Sequence, residues 1–247
     1  MKIGIISAMR EEMQELLNEL QNVTITHKGK RDYYEGILFE KDVVLVFSRW
    51  GKVASAVTTT QLINDFDLSE IIFTGVAGAL NSDLNIGDIV IGKTLFQHDM
   101  DAFPLYSKFE IPLLHKTEFE PQKNQKLITA TENFLVNFNQ LIPSEKAINF
   151  NIIAPKMKLG TILSGDQFIS SKEKIIALLK DLPQADCVEM EGAAIAQVCF
   201  EYDIPFSIIR IISDKAMDNS HIDFQKFVDE IASHYAQAIL KNYFSQI

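Results

Sequence analysis

Cysteine is scarce in this chain. Cys187 and Cys199 are the only two in 247 residues. Both sit in apolar stretches without metal-ligand spacing, which argues against a disulfide framework or a zinc site. Basic charge is also short: 23 Lys and Arg face 33 Asp and Glu, a formal net charge of −10. With no Lys/Arg stripe to offset it, that balance makes a poor partner for phosphate backbones, so no nucleic-acid partner is expected. The longest basic run, His27-Lys28-Gly29-Lys30-Arg31, reads as a solvated turn. No apolar run approaches the roughly 20 residues of a membrane-spanning helix. Met1-Lys2 leads straight into the strand-like Ile3-Gly4-Ile5-Ile6 rather than a signal peptide. These absences predict a soluble cytoplasmic protein with no membrane partner. What is present is apolar content, at 47%, enough for one large core and a single domain over residues 1–247.

Apolar runs and helical periodicity alternate along the chain. Buried strands are expected at Lys2–Ala8, Glu70–Thr74, Ile86–Ile91, Lys158–Leu163, Ala185–Val188 and Pro205–Ile212. A hairpin is expected from Asp32–Glu40 and Asp42–Ser48. Between them fall a helix after Met9, a helix over Val53–Asp65 with Ala54, Val57, Leu62 and Ile63 mostly inward, and a helix over Gln122–Gln140. Ser171 caps another, with Glu173 near the third position for a partial capping box. A further helix follows Glu191, and a long amphipathic one carries Phe224 to Ile239. This alternation predicts an α/β fold: a mixed, mostly parallel central sheet flanked by helices, a three-layer sandwich. Phe96–Pro121 is long and irregular, as functional loops are. Its His98-Asp99-Met100-Asp101 has metal-ligand residue types but no second cluster to complete a coordination sphere. It reads as a structural turn, and no metal is expected.

The chemistry-bearing residues follow strands. Ala8–Glu12, the small-residue turn Thr74-Gly75-Val76-Ala77-Gly78, Glu189–Glu191 and Ser213-Asp214 each come after a buried strand. In a parallel sheet such ends gather on one edge, where ligands bind. That places Glu12, Glu191 and Asp214 within reach of one pocket. Taken singly, each is an ordinary helix-start charge or surface ion pair. Together, with apolar walls, they suit cleavage of a glycosidic bond: one acid for the leaving group, one base for water, one carboxylate for sugar hydroxyls. Phe168, Met190 and Phe224 can sandwich a flat base. Arg210, on an apolar strand, needs an acidic partner, and Glu189 is the candidate.

At these residues the sequence resembles a known family. Met9-Arg10-Glu11-Glu12-Met13, Thr74–Gly78, Ser164-Gly165-Asp166-Gln167-Phe168-Ile169, Val188-Glu189-Met190-Glu191 and Ile212-Ser213-Asp214 look like the bacterial 5′-methylthioadenosine/S-adenosylhomocysteine nucleosidases. These belong to the purine nucleoside phosphorylase superfamily. The resemblance covers nearly the whole chain. It implies a nucleoside phosphorylase-like fold and irreversible hydrolysis of the N9–C1′ bond of a 5′-modified adenine nucleoside, without a cofactor. It also implies roles. Asp214 donates a proton toward adenine N7 and Glu12 activates the attacking water. Glu191 holds the ribose hydroxyls while Met190 lies against the nucleoside. Ile169 and Gly78 meet base and water through backbone groups, and Phe168 and Phe224 wall the adenine and the 5′ group. Ser213, Arg210 and Glu189 support the acid and the water site, and Met9, Val76 and Trp50 complete the substrate pocket. A homodimer is implied, in which the loop after His98, with Phe103, Leu105 and Pro112, covers the partner's 5′ pocket.

The chain departs from the family pattern in three places. Val76 replaces the usual serine of its turn, Trp50 replaces a branched aliphatic, and the loop around Phe103–Phe119 is longer. These bear on the 5′ group and leave open 5′-deoxyadenosine or 6-amino-6-deoxyfutalosine as substrate. A phosphorylase on the same fold, with Arg10 and Arg49 as phosphate ligands, is the nearest rival, although Glu12 would repel phosphate. A non-turning-over nucleoside-binding protein and a flavodoxin-like domain are the others.

Overall fold

The computed structural model describes residues 1–216 and 220–247, with side chains for all of these except 220–223. The chain begins with β1 (Lys2–Ser7), a 3₁₀ turn (Glu11–Met13) and α1 (Gln14–Glu19). A meander follows: β2 (Gln21–Lys28), β3 (Arg31–Leu38) and β4 (Lys41–Phe47). Next come α2 (Lys52–Asp65), β5 (Leu68–Ala79) and β6 (Ile89–Gln97), then α3 (Gln125–Val136), α4 (Phe138–Leu141) and α5 (Ser144–Asn149). The remainder is β7 (Met157–Ser164), α6 (Lys172–Asp181), β8 (Ala185–Glu189), α7 (Gly192–Glu201), β9 (Phe206–Asp214), α8 (Ser220–Phe227) and α9 (Ser233–Phe244).

The strands form one mixed sheet in the order β2-β3-β4-β1-β5-β8-β7-β6-β9, and β9 also pairs with β5, so the far half curls back on itself. Alternation along the strands supplies both helical layers. Ile3, Ile5, Ile72, Ile209 and Ile211 pack with Met13, Leu16, Phe134, Tyr235 and Ile239, under α1, α3 and α9. Ile6, Val44, Ile71, Phe73, Ile208 and Ile212 pack with Leu62, Ile195 and Cys199, under α2 and α7. This is the expected α/β architecture.

Details differ from the sequence expectations in instructive ways. The Thr74–Gly78 stretch is no turn: it lies inside β5, with Thr74 to Ala77 paired in parallel with Ile209 to Ile212 of β9. β8 does not run with β5 but against it, pairing only through Gly78–Val188 and Ala79–Cys187. Because that contact joins their final residues, both carboxyl ends still meet at one place. β2 is exposed almost throughout, Val23 and Ile25 included, and the basic run forms the hairpin turn joining it to β3. In α2 the buried residues are Ser55, Thr58, Thr59 and Leu62, while Val57 faces outward; the hydroxyls of Thr58 and Thr59 bond back to the carbonyls of Ala54 and Ser55. Ser171 caps α6 through Lys174 N–H, but Glu173 stands one place too early to complete a capping box. The C-terminal helix is interrupted by a π turn over Val228–Ala232. Among the described residues no helix is long and apolar enough to cross a membrane.

Candidate active site

A cleft opens at the carboxyl ends of β1, β5, β8 and β9. Met9, Glu12, Trp50, Val76, Gly78, Phe168, Ile169, Met190, Glu191, Arg210, Glu189, Asp214 and Phe224 all line it. Ser213 does not: it is fully buried and reaches the cleft only through Asp214. Phe103 and Leu105 lie on a separate exposed depression, and Pro112 is not part of the cleft either. Gln167, Ala8 and Ala77 also line it. Gln167 was signalled only by its place beside Phe168 in the same motif.

The three carboxylates are each held by backbone. Glu12 is 2% exposed. Its Oε2 accepts from the amides of Ala8 (2.9 Å) and Met9 (3.0 Å), and its Oε1 from Val76 (3.0 Å). The short run after β1 therefore folds around its own carboxylate and ties it to β5. Burial pushes the Glu12 carboxyl above its usual value, against the pull of the Arg210 guanidinium and the three amides. Gly75 is needed here for space: a Cβ would lie 2.6 Å from Arg210 Nη1 and 2.7 Å from Glu12 Oε1.

Asp214 ends β9 beside a β-bulge. Ala77 pairs with Ile212 and Gly78 with Asp214, so Ser213 is the extra residue. A bulge re-aims the side chain that follows, and here that side chain is Asp214. Its Oδ1 accepts from Ala216 N–H at 2.7 Å and its Oδ2 from the Ser213 hydroxyl at 2.8 Å.

Glu191 stands at the start of α7 but does not cap it. Its Oε1 instead accepts from Gly51 N–H at 2.8 Å. Burial, with the Glu189 carboxylate nearby, pushes Glu191 up to about 8. The helix start is held by Glu189, which accepts from Glu191 N–H (3.2 Å) and Gly192 N–H (2.8 Å). Glu189 also accepts from the Ser164 hydroxyl, and Ser164 Oγ in turn accepts from Ala193 N–H at 2.7 Å. Ser164 is a site residue missed in the sequence, where it was one small residue among several.

Raised carboxyls give stability a definite pH dependence. The Glu191 carboxyl holds its proton more tightly folded than unfolded. Its contribution is therefore fully present below the ordinary value of 4.5 and is lost as pH rises through about 8. Glu12 acts in the same direction. The melting temperature of the unliganded protein should fall between pH 5 and 9, and the slope should be shallower in Glu191→Gln.

Arg210 forms an ion pair with Glu189 at 2.6 Å, and its guanidinium lies 3.7 Å from the centroid of the Phe73 ring. Both partners are buried. Removing one leaves an uncompensated buried charge, typically a loss of about 3–5 kcal/mol. Arg210→Met should lower the urea midpoint accordingly, while Arg210→Lys, with one point charge and no planar fork, should recover only part.

At the rim, Phe224 meets Phe168 (5.7 Å, 76°) and Trp50 (6.1 Å, 86°) edge to face. Such a corner presents flat apolar walls to a planar ligand. Among the described residues no cluster of His, Cys, Asp and Glu could hold a metal ion.

The chain that builds this site is similar along its length to known proteins. The sequence pattern of the phosphorylase superfamily fits residues 2–245. The 5′-methylthioadenosine/S-adenosylhomocysteine nucleosidase of Staphylococcus carnosus is 35% identical over 243 residues, covering 97% of each chain. The corresponding nucleosidase of Neisseria meningitidis, solved with methylthio-immucillin-A, superposes with a TM-score of 0.83 at 33% identity, covering 100% of this chain and 99% of that one. The futalosine hydrolase of Helicobacter pylori superposes with a TM-score of 0.82 at 32% identity, covering 100% and 98%. At these identities and over this length, the chain belongs to the phosphorylase superfamily and, within it, to the family of 5′-methylthioadenosine/S-adenosylhomocysteine nucleosidases.

Proposed function

We propose that this protein hydrolyses the N-glycosidic bond of 5′-modified adenine nucleosides, 5′-methylthioadenosine and S-adenosylhomocysteine, releasing adenine. The observation that carries the reading is the convergence of Glu12, Glu191 and Asp214 on one apolar cleft. Adenine leaves poorly until N7 is protonated, and Asp214 is the acid we assign to it. Glu12 sits beside Arg210 and draws the proton from the attacking water. A carboxyl raised by burial is better matched to that task near neutral pH than an ordinary one. Arg210 Nε, buried and without a partner among the described residues, supplies a further donor near the water. Glu191 holds the ribose hydroxyls and Met190 lies beneath the sugar. Phe168 and Phe224 wall the base, with Ile169 and Gly78 offering backbone groups. The developing oxocarbenium charge is favoured by the nearby carboxylates. This chemistry needs no metal and no cofactor.

We further propose that residues 1–247 act as one domain and that the protein works in the cytoplasm, where the buried thiols of Cys187 and Cys199 stay reduced. It acts as a homodimer in which the exposed Phe103 and Leu105, with Pro112, cover the partner's 5′ pocket. Their position away from this chain's own cleft fits that role.

A second substrate, 6-amino-6-deoxyfutalosine, is favoured by a specific observation. The futalosine hydrolase of Helicobacter pylori shares the fold along the whole chain, and Val76 and Trp50 alter this cleft where the family pattern differs. The test is adenine release from 5′-methylthioadenosine, S-adenosylhomocysteine, 5′-deoxyadenosine and 6-amino-6-deoxyfutalosine in parallel. Turnover of the first two is expected. Tight binding of all four without adenine release would overturn the reading in favour of a binding protein.

A further inference from the structure

Glu191 is not held by its own helix. Its one backbone donor among the described residues, Gly51, comes from the turn between β4 and α2, which passes through two left-handed residues, Arg49 (φ 73°) and Gly51 (φ 94°). Such a turn does not keep its shape unaided. It is pinned by a ring of three residues: Lys52 at the start of α2, Asp99 after β6 and Asp166 after β7. Lys52 N–H donates to Asp166 Oδ1 at 2.7 Å. Asp166 N–H donates to Asp99 Oδ2 at 2.8 Å. Asp99 Oδ1 closes the ring on Lys52 Nζ at 2.6 Å. Lys52 Nζ also reaches Gln97 Oε1 (3.2 Å), and Gln97 Nε2 donates to Gln197 Oε1 of α7 at 2.6 Å. The ring thus joins the carboxyl ends of β4, β6 and β7 to the helix that starts at Glu191. Gly51 packs directly on it: a Cβ there would lie 2.8 Å from Asp166 Oδ1. None of Lys52, Asp99 or Asp166 lines the cleft.

We propose that Asp166, Asp99 and Lys52 are positioning residues for nucleoside recognition: they clamp the Arg49–Lys52 turn so that the Gly51 amide fixes the Glu191 carboxyl against the ribose hydroxyls. The proposal rests on the reading of Glu191 as the ribose-binding group. Opposite-charge geometry strengthens the ring. Although burial alone would push the Asp99 carboxyl up, the bonds from Lys52 and the Asp166 amide outweigh it and hold Asp99 below the usual range.

The test compares Asp166→Ala, Asp166→Asn and Lys52→Met with Glu191→Gln. Two probes are used: 5′-methylthioadenosine as substrate and its 2′,3′-dideoxy analogue as competitive inhibitor. Loss of a positioned bond to a carboxyl is worth about tenfold or more in affinity. Asp166→Ala and Lys52→Met should therefore raise KM for the substrate about tenfold with a smaller change in kcat, and leave the inhibition constant of the dideoxy analogue unchanged. Asp166→Asn, which keeps an acceptor for Lys52 N–H, should recover most of the loss. If Asp166→Ala does not fold, Lys52→Met carries the same comparison, since it removes the closing ion pair and leaves the Asp166 bonds in place. Wild-type KM in the folded variants, or equal weakening of both probes, would overturn the clamp. A Glu191→Gln enzyme that still discriminates the two probes as the wild type does would instead overturn the ribose-binding role.

Discussion

Asp214→Asn is expected to abolish adenine release while the fold and nucleoside binding survive. The reason lies in how the side chain is held. Asp214 Oδ1 accepts from Ala216 N–H, and the neighbouring hydroxyl of Ser213 faces Oδ2. An asparagine keeps the first bond through its carbonyl, and its amide donates to Ser213 Oγ once that hydroxyl rotates. It can also still donate a hydrogen bond toward N7. It cannot release a proton to N7, so the leaving group departs as an anion. A positioned general acid contributes typically 10²–10⁴-fold, and a loss of at least about 100-fold in kcat is expected. Binding, measured by equilibrium dialysis with an adenosine analogue, and the melting temperature should stay near wild type. A kcat within about tenfold of wild type would remove Asp214 from the proton path.

Glu12→Gln should be as damaging to turnover and, unlike Asp214→Asn, damaging to stability as well. Among the described residues the hydrogen bonds to the Glu12 carboxylate come from N–H donors: Ala8 and Met9 on Oε2, Val76 on Oε1. A carboxylate accepts on both oxygens. An amide accepts on one, so either orientation sets its NH₂ against at least one buried amide. An unsatisfied buried donor costs about 1–3 kcal/mol, which urea denaturation would read directly. The lost base adds about 100-fold or more in kcat. The paired result separates the roles: activity lost at constant stability for Asp214, both lost for Glu12. A stable, active Glu12→Gln enzyme would contradict both the hydrogen-bond argument and the base assignment.

Much of the site was legible because its chemistry follows buried strands. A carboxylate after an apolar run reads plainly in Glu12, Glu191 and Asp214, and the motifs around them carry the family resemblance. What misled was small residues. Thr74–Gly78 looks like a turn because glycines punctuate turns. In the fold, Gly75 instead makes room for Arg210 and Glu12, and Gly78 stands opposite the bulge that aims Asp214. β2 escaped notice because it is solvated along nearly its whole length and its alternation is confined to Val23 and Ile25, both exposed. α2 was mis-faced because its Ser and Thr side chains bury by bonding back to their own helix, leaving Val53 and Val57 outside. Nothing in the sequence joins Lys52, Asp99 and Asp166 into a ring, although Asp99 and Asp166 each stand in a segment that the sequence singles out. The ring's members are far apart along the chain, and two of its three bonds come from backbone amides, which no side-chain pattern reports.

The central claim is that water, not phosphate, receives the ribosyl group. The most direct test is reaction of 5′-methylthioadenosine in ¹⁸O-enriched water, with and without inorganic phosphate, followed by mass spectrometry of the sugar product. Hydrolysis predicts 5-methylthioribose carrying one ¹⁸O atom, with adenine released at the same rate in both conditions. Release that depends on phosphate, with an unlabelled 5-methylthioribose 1-phosphate as product, would contradict it.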